Sequence, residues 1–134
     1  MIVADNSVVV GLAFPNDAYH APALEARRRD PEWHAPYLLL SELRSVGAGY
    51  LRKGEKLSAV LAMLDNAAAA VVTQDVRPTE VMGIVAGSTL SAYDAEYVAL
   101  ASRLGCPLVT TDRHVLEEFP HLAVRLEDFV SRSA

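Results

Sequence analysis

The feature that most constrains this chain is the brevity of its strand-like runs and what lies between them. IVAD at residues 2–5, VVTQ at 71–74, PLVTT at 107–111 and the segment 123–126 are only four or five residues long, and helix-like stretches separate them. Runs this short and this apolar read as strands covered on both faces. Strands that alternate with helices build a parallel sheet with helices packed against it. The expected architecture is therefore α/β, a single domain over residues 1–134 with a central parallel sheet of short strands flanked by helices. At 134 residues the chain is long enough for one real core and too short for two.

The intervening stretches carry helix signals. SVVVGLAF follows the first strand, and Pro15 and Asn16 punctuate it. Residues 17–29 read as a helix ending in Arg27, Arg28 and Arg29, which a helix C-terminus favours. His34 to Tyr37 is a short strand or a loop, with Pro36 opening a long helix to about Lys53, where Gly54 breaks it. An Ala-rich helix is expected over 55–70, and Pro78 starts another to about residue 88. Ser91 is placed to cap a helix from Ala92 to Leu104, and Gly105 to end it. Asp112 begins a short helix, and a turn of helix follows the last strand.

Several function classes drop out. No apolar run approaches the ~20 residues of a membrane helix. Asp5 interrupts the first apolar stretch with no basic region before it, so no signal peptide is read and a cytoplasmic location is expected. A lone Cys106 cannot form an internal disulfide or, by itself, a metal site, and beside Pro107 it is expected to pack. The net charge of −5 counts against a surface that grips nucleic acid throughout. It leaves room for carboxylates concentrated in one pocket and neutralised by metal, with nucleic-acid binding local or cation-dependent.

Four acids fit such a pocket. In an open parallel sheet, function gathers beyond the carboxyl ends of the strands. Asp5 ends the first strand and Asp112 directly follows PLVTT, over a hundred residues later. Asp94 lies in the first turn of its helix, at the border of a stripe made by Tyr93, Tyr97, Leu100 and Leu104. Glu42 projects from the shoulder of the stripe Leu39, Leu43, Val46 and Tyr50, while Arg44 points away. Each acid also has a plain structural reading: Asp5 and Asp112 as helix caps, Asp94 as the third residue of a capping box begun by Ser91, Glu42 as half of a surface ion pair. An oxygen-only ligand set, with no His or Cys cluster, selects magnesium or manganese over zinc. Two carboxylates ~5 Å apart repel by about 3 kcal/mol at an effective dielectric near 20, so four together call for a cation or a proton.

These residues resemble a PIN domain, in particular the VapC-type toxin ribonucleases of prokaryotic toxin–antitoxin pairs. IVADNSVVV resembles the family's first strand, Asp, small polar residues and apolar helix. PYLLLSEL resembles its second element, ending in Glu42. YDAEYVALASRLGCPLVTTD, from Tyr93 to Asp112, has the Tyr-Asp-Ala start, the Ala-rich helix, the closing Gly and the Thr-x-Asp finish. The resemblance covers nearly the whole chain. It implies a magnesium- or manganese-dependent endoribonuclease whose acidic quartet is Asp5, Glu42, Asp94 and Asp112, supported by Ser7, Thr110 and Asn6. It also implies a homodimer held inactive by a cognate antitoxin. Ser45 departs from the Asn that many relatives carry three residues after the second acid.

Other residues are weaker candidates. Arg52, Lys53 and Lys56 around Gly54, with Arg113, are candidate RNA contacts, though such clusters are commonly solvated surface. His114 reads as a solvated helix start, and His20, His34 and His121 as surface or turn residues. Trp33 stands alone, so no aromatic platform for bases is visible. The rival readings are a catalytically silent module that binds a partner protein, and a phosphoryl-transfer protein. A receiver domain would carry Lys near the late strand end, and an Asp-x-Asp phosphatase an acid at residue 7, where this chain has Ser7.

Overall fold

The computed structural model describes residues 1–132; the expected domain reached 134, and its last two positions lie outside the described residues. Its strands are β1 (Ile2–Ala4), β2 (Trp33–Pro36), β3 (Val72–Gln74), β4 (Leu108–Thr110) and β5 (Ala123–Arg125). They form one sheet in the order β3-β2-β1-β4-β5, every pairing parallel. The helices are α1 (Asn6–Ala13), α2 (His20–Arg29), α3 (Leu38–Arg52), α4 (Leu57–Ala69), α5 (Pro78–Ala86), α6 (Ala92–Leu104), α7 (Arg113–Glu118) and α8 (Leu126–Ser131).

From β1 the chain steps one way across the sheet, through α1 and α2 to β2 and through α3 and α4 to β3. It then returns through α5 and α6 to β4. Parallel crossovers are right-handed, so the reversal puts the two helical sets on opposite faces. In keeping with this, α1 packs against α2, α3 and α4, while α5 packs against α6. The order reverses between β1 and β4, which is where an open sheet of this kind leaves a crevice at its carboxyl edge.

The core explains the short strands. Every residue of β1 and β4 is buried, with Val8, Val9, Leu39, Trp33 and Leu100 packed around them. The expectation of strands covered on both faces fails at the edge, where Val72 of β3 is exposed. Ser91 caps α6, its Oγ accepting from the Asp94 N–H at 3.1 Å, and Gly105 closes that helix with φ of 66°. A Cβ at Gly11 would lie 3.0 Å from the Tyr19 carbonyl oxygen, so glycine there lets α2 approach α1. His20 tightens that contact, its Nδ1 lying 2.8 Å from the Gly11 carbonyl oxygen; it is not a free surface residue.

Other boundaries move for local reasons. The helix expected from residue 17 begins at His20, because the Asp17 carboxylate accepts from the Tyr19 N–H at 3.0 Å and holds a turn there. Residues 33–36 are a strand, and Pro36 ends it rather than opening a helix, since it pairs with Gln74 of β3. Arg27 does more than favour a helix end: it donates to the Ala70 carbonyl at 2.6 Å and lies over the Trp33 ring. Cys106 is buried, as its packing role requires. Among the described residues no helix is long and apolar enough to cross a membrane.

Candidate active site

Asp5 leaves β1 and becomes the N-cap of α1. Its Oδ1 accepts from the Val8 N–H at 3.2 Å and from the Ser7 hydroxyl at 2.5 Å, and its Oδ2 accepts from the Thr110 hydroxyl. Thr110, fully buried, is the last residue of β4 and sits 105 positions away in sequence. The Thr111 hydroxyl donates to Ser7 Oγ at 2.8 Å, and the Asp112 N–H to Thr110 Oγ1 at 2.9 Å. Hydroxyls thus stitch the ends of β1 and β4 together across the crevice. Asp112 caps α7, accepting from the His114 N–H at 2.8 Å and the Val115 N–H at 3.2 Å. The capping reading of both acids is correct, and it does not compete with a site reading: the caps aim both residues at the crevice.

The other two acids arrive on helices. Glu42 is half-buried on α3 and accepts from the Tyr97 hydroxyl at 2.6 Å. Asp94 stands in the first turn of α6, beside the Ser91 cap. Burial pushes the Asp5 carboxyl up to about 6, against hydrogen bonds from Ser7, Thr110 and Val8, and the Asp112 charge adds to the rise. Burial also raises Glu42, with Asp94 and Glu96 adding to it. Asp94 is raised first by burial and then by Asp112, with Ser91 and His114 opposing. The Asp112 charge thus bears on both Asp5 and Asp94, and the Asp94 charge on Glu42.

Among the described residues none of the four has a basic side chain within ion-pair distance. Nor do any three His, Cys, Asp or Glu side chains there converge tightly enough to hold an ion between them. The four acids make no ion pair and no closed cage among the described residues. Their donor set, all oxygen, fits a hard cation in charge and chemistry. Asn6 adds a buried Oδ1 with no hydrogen-bond donor, next to Asp5.

The remaining predicted residues divide. Arg113 adjoins Asp112 but is 87% exposed and reaches Glu117 at 3.5 Å. Arg52 lies ten positions along α3 from Glu42, about 15 Å at 1.5 Å per residue, and turns back to the Ala48 carbonyl at 3.1 Å. Lys53 and Lys56 lie beyond it, so all three stand at or past the far end of α3 from Glu42. Tyr93 is exposed and does not belong to the buried stripe of α6, which runs through Ala95 and from Tyr97 to Ala101. His114 is part of the rim: its Nε2 lies 2.7 Å from Thr89 Oγ1, and its charge bears on Asp94. Tyr97 was expected only to pack, yet its hydroxyl is a polar member of the site. Its position three residues after Asp94, on the same helix face, was the available signal.

The model of the PIN domain matches residues 2–122. This chain belongs to the PIN domain family. Solved structures agree on the fold. PAE2754 from Pyrobaculum aerophilum is similar with a TM-score of 0.75 and 24% identity, over 96% of this chain and 91% of that one. VapBC2 from Rickettsia felis, bound to a DNA fragment from its promoter, gives 0.67 and 16% over 93% and 98% of the two chains. VapC20 of Mycobacterium tuberculosis, a toxin cleaving the sarcin-ricin loop, gives 0.57 and 19% over 78% and 84%. At these identities the likeness is one of fold. No curated protein matches the sequence. Within this PIN domain, Asp5 and Asp112 stand at the carboxyl ends of the adjacent strands β1 and β4.

Proposed function

We propose that this PIN domain is a magnesium- or manganese-dependent endoribonuclease of the cytoplasm, acting as the toxin of a toxin–antitoxin pair. Asp5, Glu42, Asp94 and Asp112 are the carboxylates that would hold the cation. What supports this reading is that Asp5 and Asp112 stand at the ends of the paired strands β1 and β4, with Asp94 and Glu42 under the charge influence of neighbouring acids and none of the four in an ion pair among the described residues. Burying carboxylates together is unfavourable unless positive charge or a proton relieves them. Oxygen ligands favour magnesium or manganese as that charge. Such an ion, when bound, offsets charge developing on phosphate oxygens and acidifies a water.

The chain's own residues divide the remaining work. Asp5 and Asp112 are pinned at strand ends by hydroxyl and backbone donors, which suits them to hold a charge in place. Ser7 and Thr110 fix the Asp5 carboxylate, and Asn6 offers an acceptor still lacking a donor. Asp94, on α6, would hold the ion directly or through a water, and Glu42, on α3, would orient or deprotonate the attacking water. Arg113 is the basic side chain best placed to meet a phosphate, with Arg52, Lys53 and Lys56 serving RNA that extends beyond the crevice. A partner antitoxin and a homodimer complete the reading. The Rickettsia felis VapBC2 and the Mycobacterium tuberculosis loop-cleaving toxin, both of this fold, support it by analogy.

The test is incubation of purified protein with total RNA, with and without magnesium, followed by mapping of new 5′ ends. New ends that need the cation and vanish in Asp5→Asn are the expected result. An RNA profile unchanged by the parent protein under all conditions replaces the nuclease with a silent, partner-binding module.

A further inference from the structure

Of the four acids, Glu42 is the least constrained. Asp5 and Asp112 accept backbone N–H groups as helix caps, and Asp94 stands next to a capped helix start. Glu42, five residues into α3, has its carboxylate fixed among the described residues by one donor, the Tyr97 hydroxyl at 2.6 Å. That length is typical of a hydroxyl bonded to a charged carboxylate, a stronger contact than one between neutral groups.

The bond also joins parts that little else joins. α3 belongs with α1 and α4 on one face of the sheet, α6 with α5 on the other. The Tyr97 ring is in the core, 4% exposed, and its hydroxyl is the part that meets Glu42. On α6, Asp94 and Tyr97 are three residues apart and share a face, so a single helix supplies one acid directly and grips a second through its tyrosine. We infer that Tyr97 is a positioning residue, whose hydroxyl fixes the Glu42 carboxylate in the acidic crevice opposite Asp94.

A blander account is that a buried tyrosine simply needs an acceptor. A backbone carbonyl would serve that need without cost. The acceptor here is instead a carboxylate already disfavoured by burial and by the Asp94 charge.

The inference rests on Glu42 being one of the cation-site carboxylates, and the test separates the two. Tyr97→Phe keeps the ring in the core and removes only the donor. Two readouts are compared in the parent, Tyr97→Phe, Glu42→Gln and the double variant. One is the rise in melting temperature on titrating manganese without RNA; the other is the kcat and KM of RNA cleavage. In Tyr97→Phe we expect a weaker manganese midpoint and a kcat lower by roughly 10–100-fold, the usual loss when a supporting partner is removed, with KM changed less than about twofold. In the Glu42→Gln background the same substitution should change the manganese midpoint no further, because its effect passes through that carboxylate. Parent-like behaviour of Tyr97→Phe in both readouts, or an effect that adds in full to that of Glu42→Gln, overturns the positioning role while leaving the nuclease reading intact. A parent protein that neither gains stability from manganese nor cuts RNA overturns both.

Discussion

The acidic crevice has two halves built on different principles. Asp5 and Asp112 sit where β1 and β4 run out, each with a carboxylate oxygen accepting from the helix that follows it. Glu42 and Asp94 ride on α3 and α6, and their carboxylates accept no backbone N–H among the described residues. The strand-end pair is thus fixed by the same bonds that start two helices, whereas Asp94 caps nothing and Glu42 is held by a side-chain donor, the Tyr97 hydroxyl. Rigidity was obtained where the chain turns, and adjustable geometry where it does not.

The largest expected effect that tests this contrast is on catalysis. Asp5→Asn or Asp112→Asn should reduce cleavage by more than the roughly 10–100-fold that loss of a mere supporting partner costs. Gel assays with magnesium measure it, and parental rates in either variant would remove the strand-end pair from the site. Asp94→Asn should likewise abolish the growth arrest expected when the protein is expressed without an antitoxin.

The next effect is on stability against pH. The Asp5 carboxyl titrates near 6 in the folded state against an ordinary 3.8, so between about pH 4 and 6 the folded protein holds a proton that the unfolded chain has released. Cation-free stability should therefore fall as pH rises through that window, by about 3 kcal/mol for a shift of this size, and stay lower above it. Asp5→Asn, which keeps hydrogen-bonding atoms without the charge, should flatten that dependence and be more stable than the parent at pH 7. Urea unfolding across pH measures both, and manganese should restore the parent at pH 7 but not the variant.

A smaller effect separates cap from non-cap. Asp112→Ala removes the α7 cap and should cost about 1 kcal/mol. Asp94→Ala, whose helix is capped by Ser91, should change stability by less than about 0.5 kcal/mol. Equal losses in the two would erase the distinction between the halves. The smallest effect belongs to the basic residues: Arg113→Ala should raise KM for RNA more than Arg52→Ala, since only Arg113 adjoins the crevice.

What could be read in advance follows the same divide. The strand-end acids were legible because a strand, its terminal acid and the helix after it are contiguous in IVADNSVVV and PLVTTD. The stitching by Ser7, Thr110 and Thr111 depends on the β1–β4 pairing: Ser7 and Thr110 came in through the family resemblance, and nothing in the sequence singled out Thr111. Tyr97 was legible only as a buried face, since helical periodicity says which way a ring points and nothing of what its tip meets 55 positions away. Pro36 was misread because its strand partner, Gln74, lies 38 positions further on and outweighs the local preference for starting a helix. Tyr93 was assigned to the buried stripe by its spacing alone, and it stands at the solvent end of a helix whose core face begins at Ala95.

The adjacency of β1 and β4 has a consequence for synthesis. The segment from Leu108 to Asp112 is synthesised about a hundred residues after Asp5. Until that segment clears the exit tunnel, a nascent chain has Asp5 at a sheet edge with no Thr110 hydroxyl to bind it. A polypeptide stalled before this point would carry most of the helices and none of the hydroxyl stitching between the ends of β1 and β4.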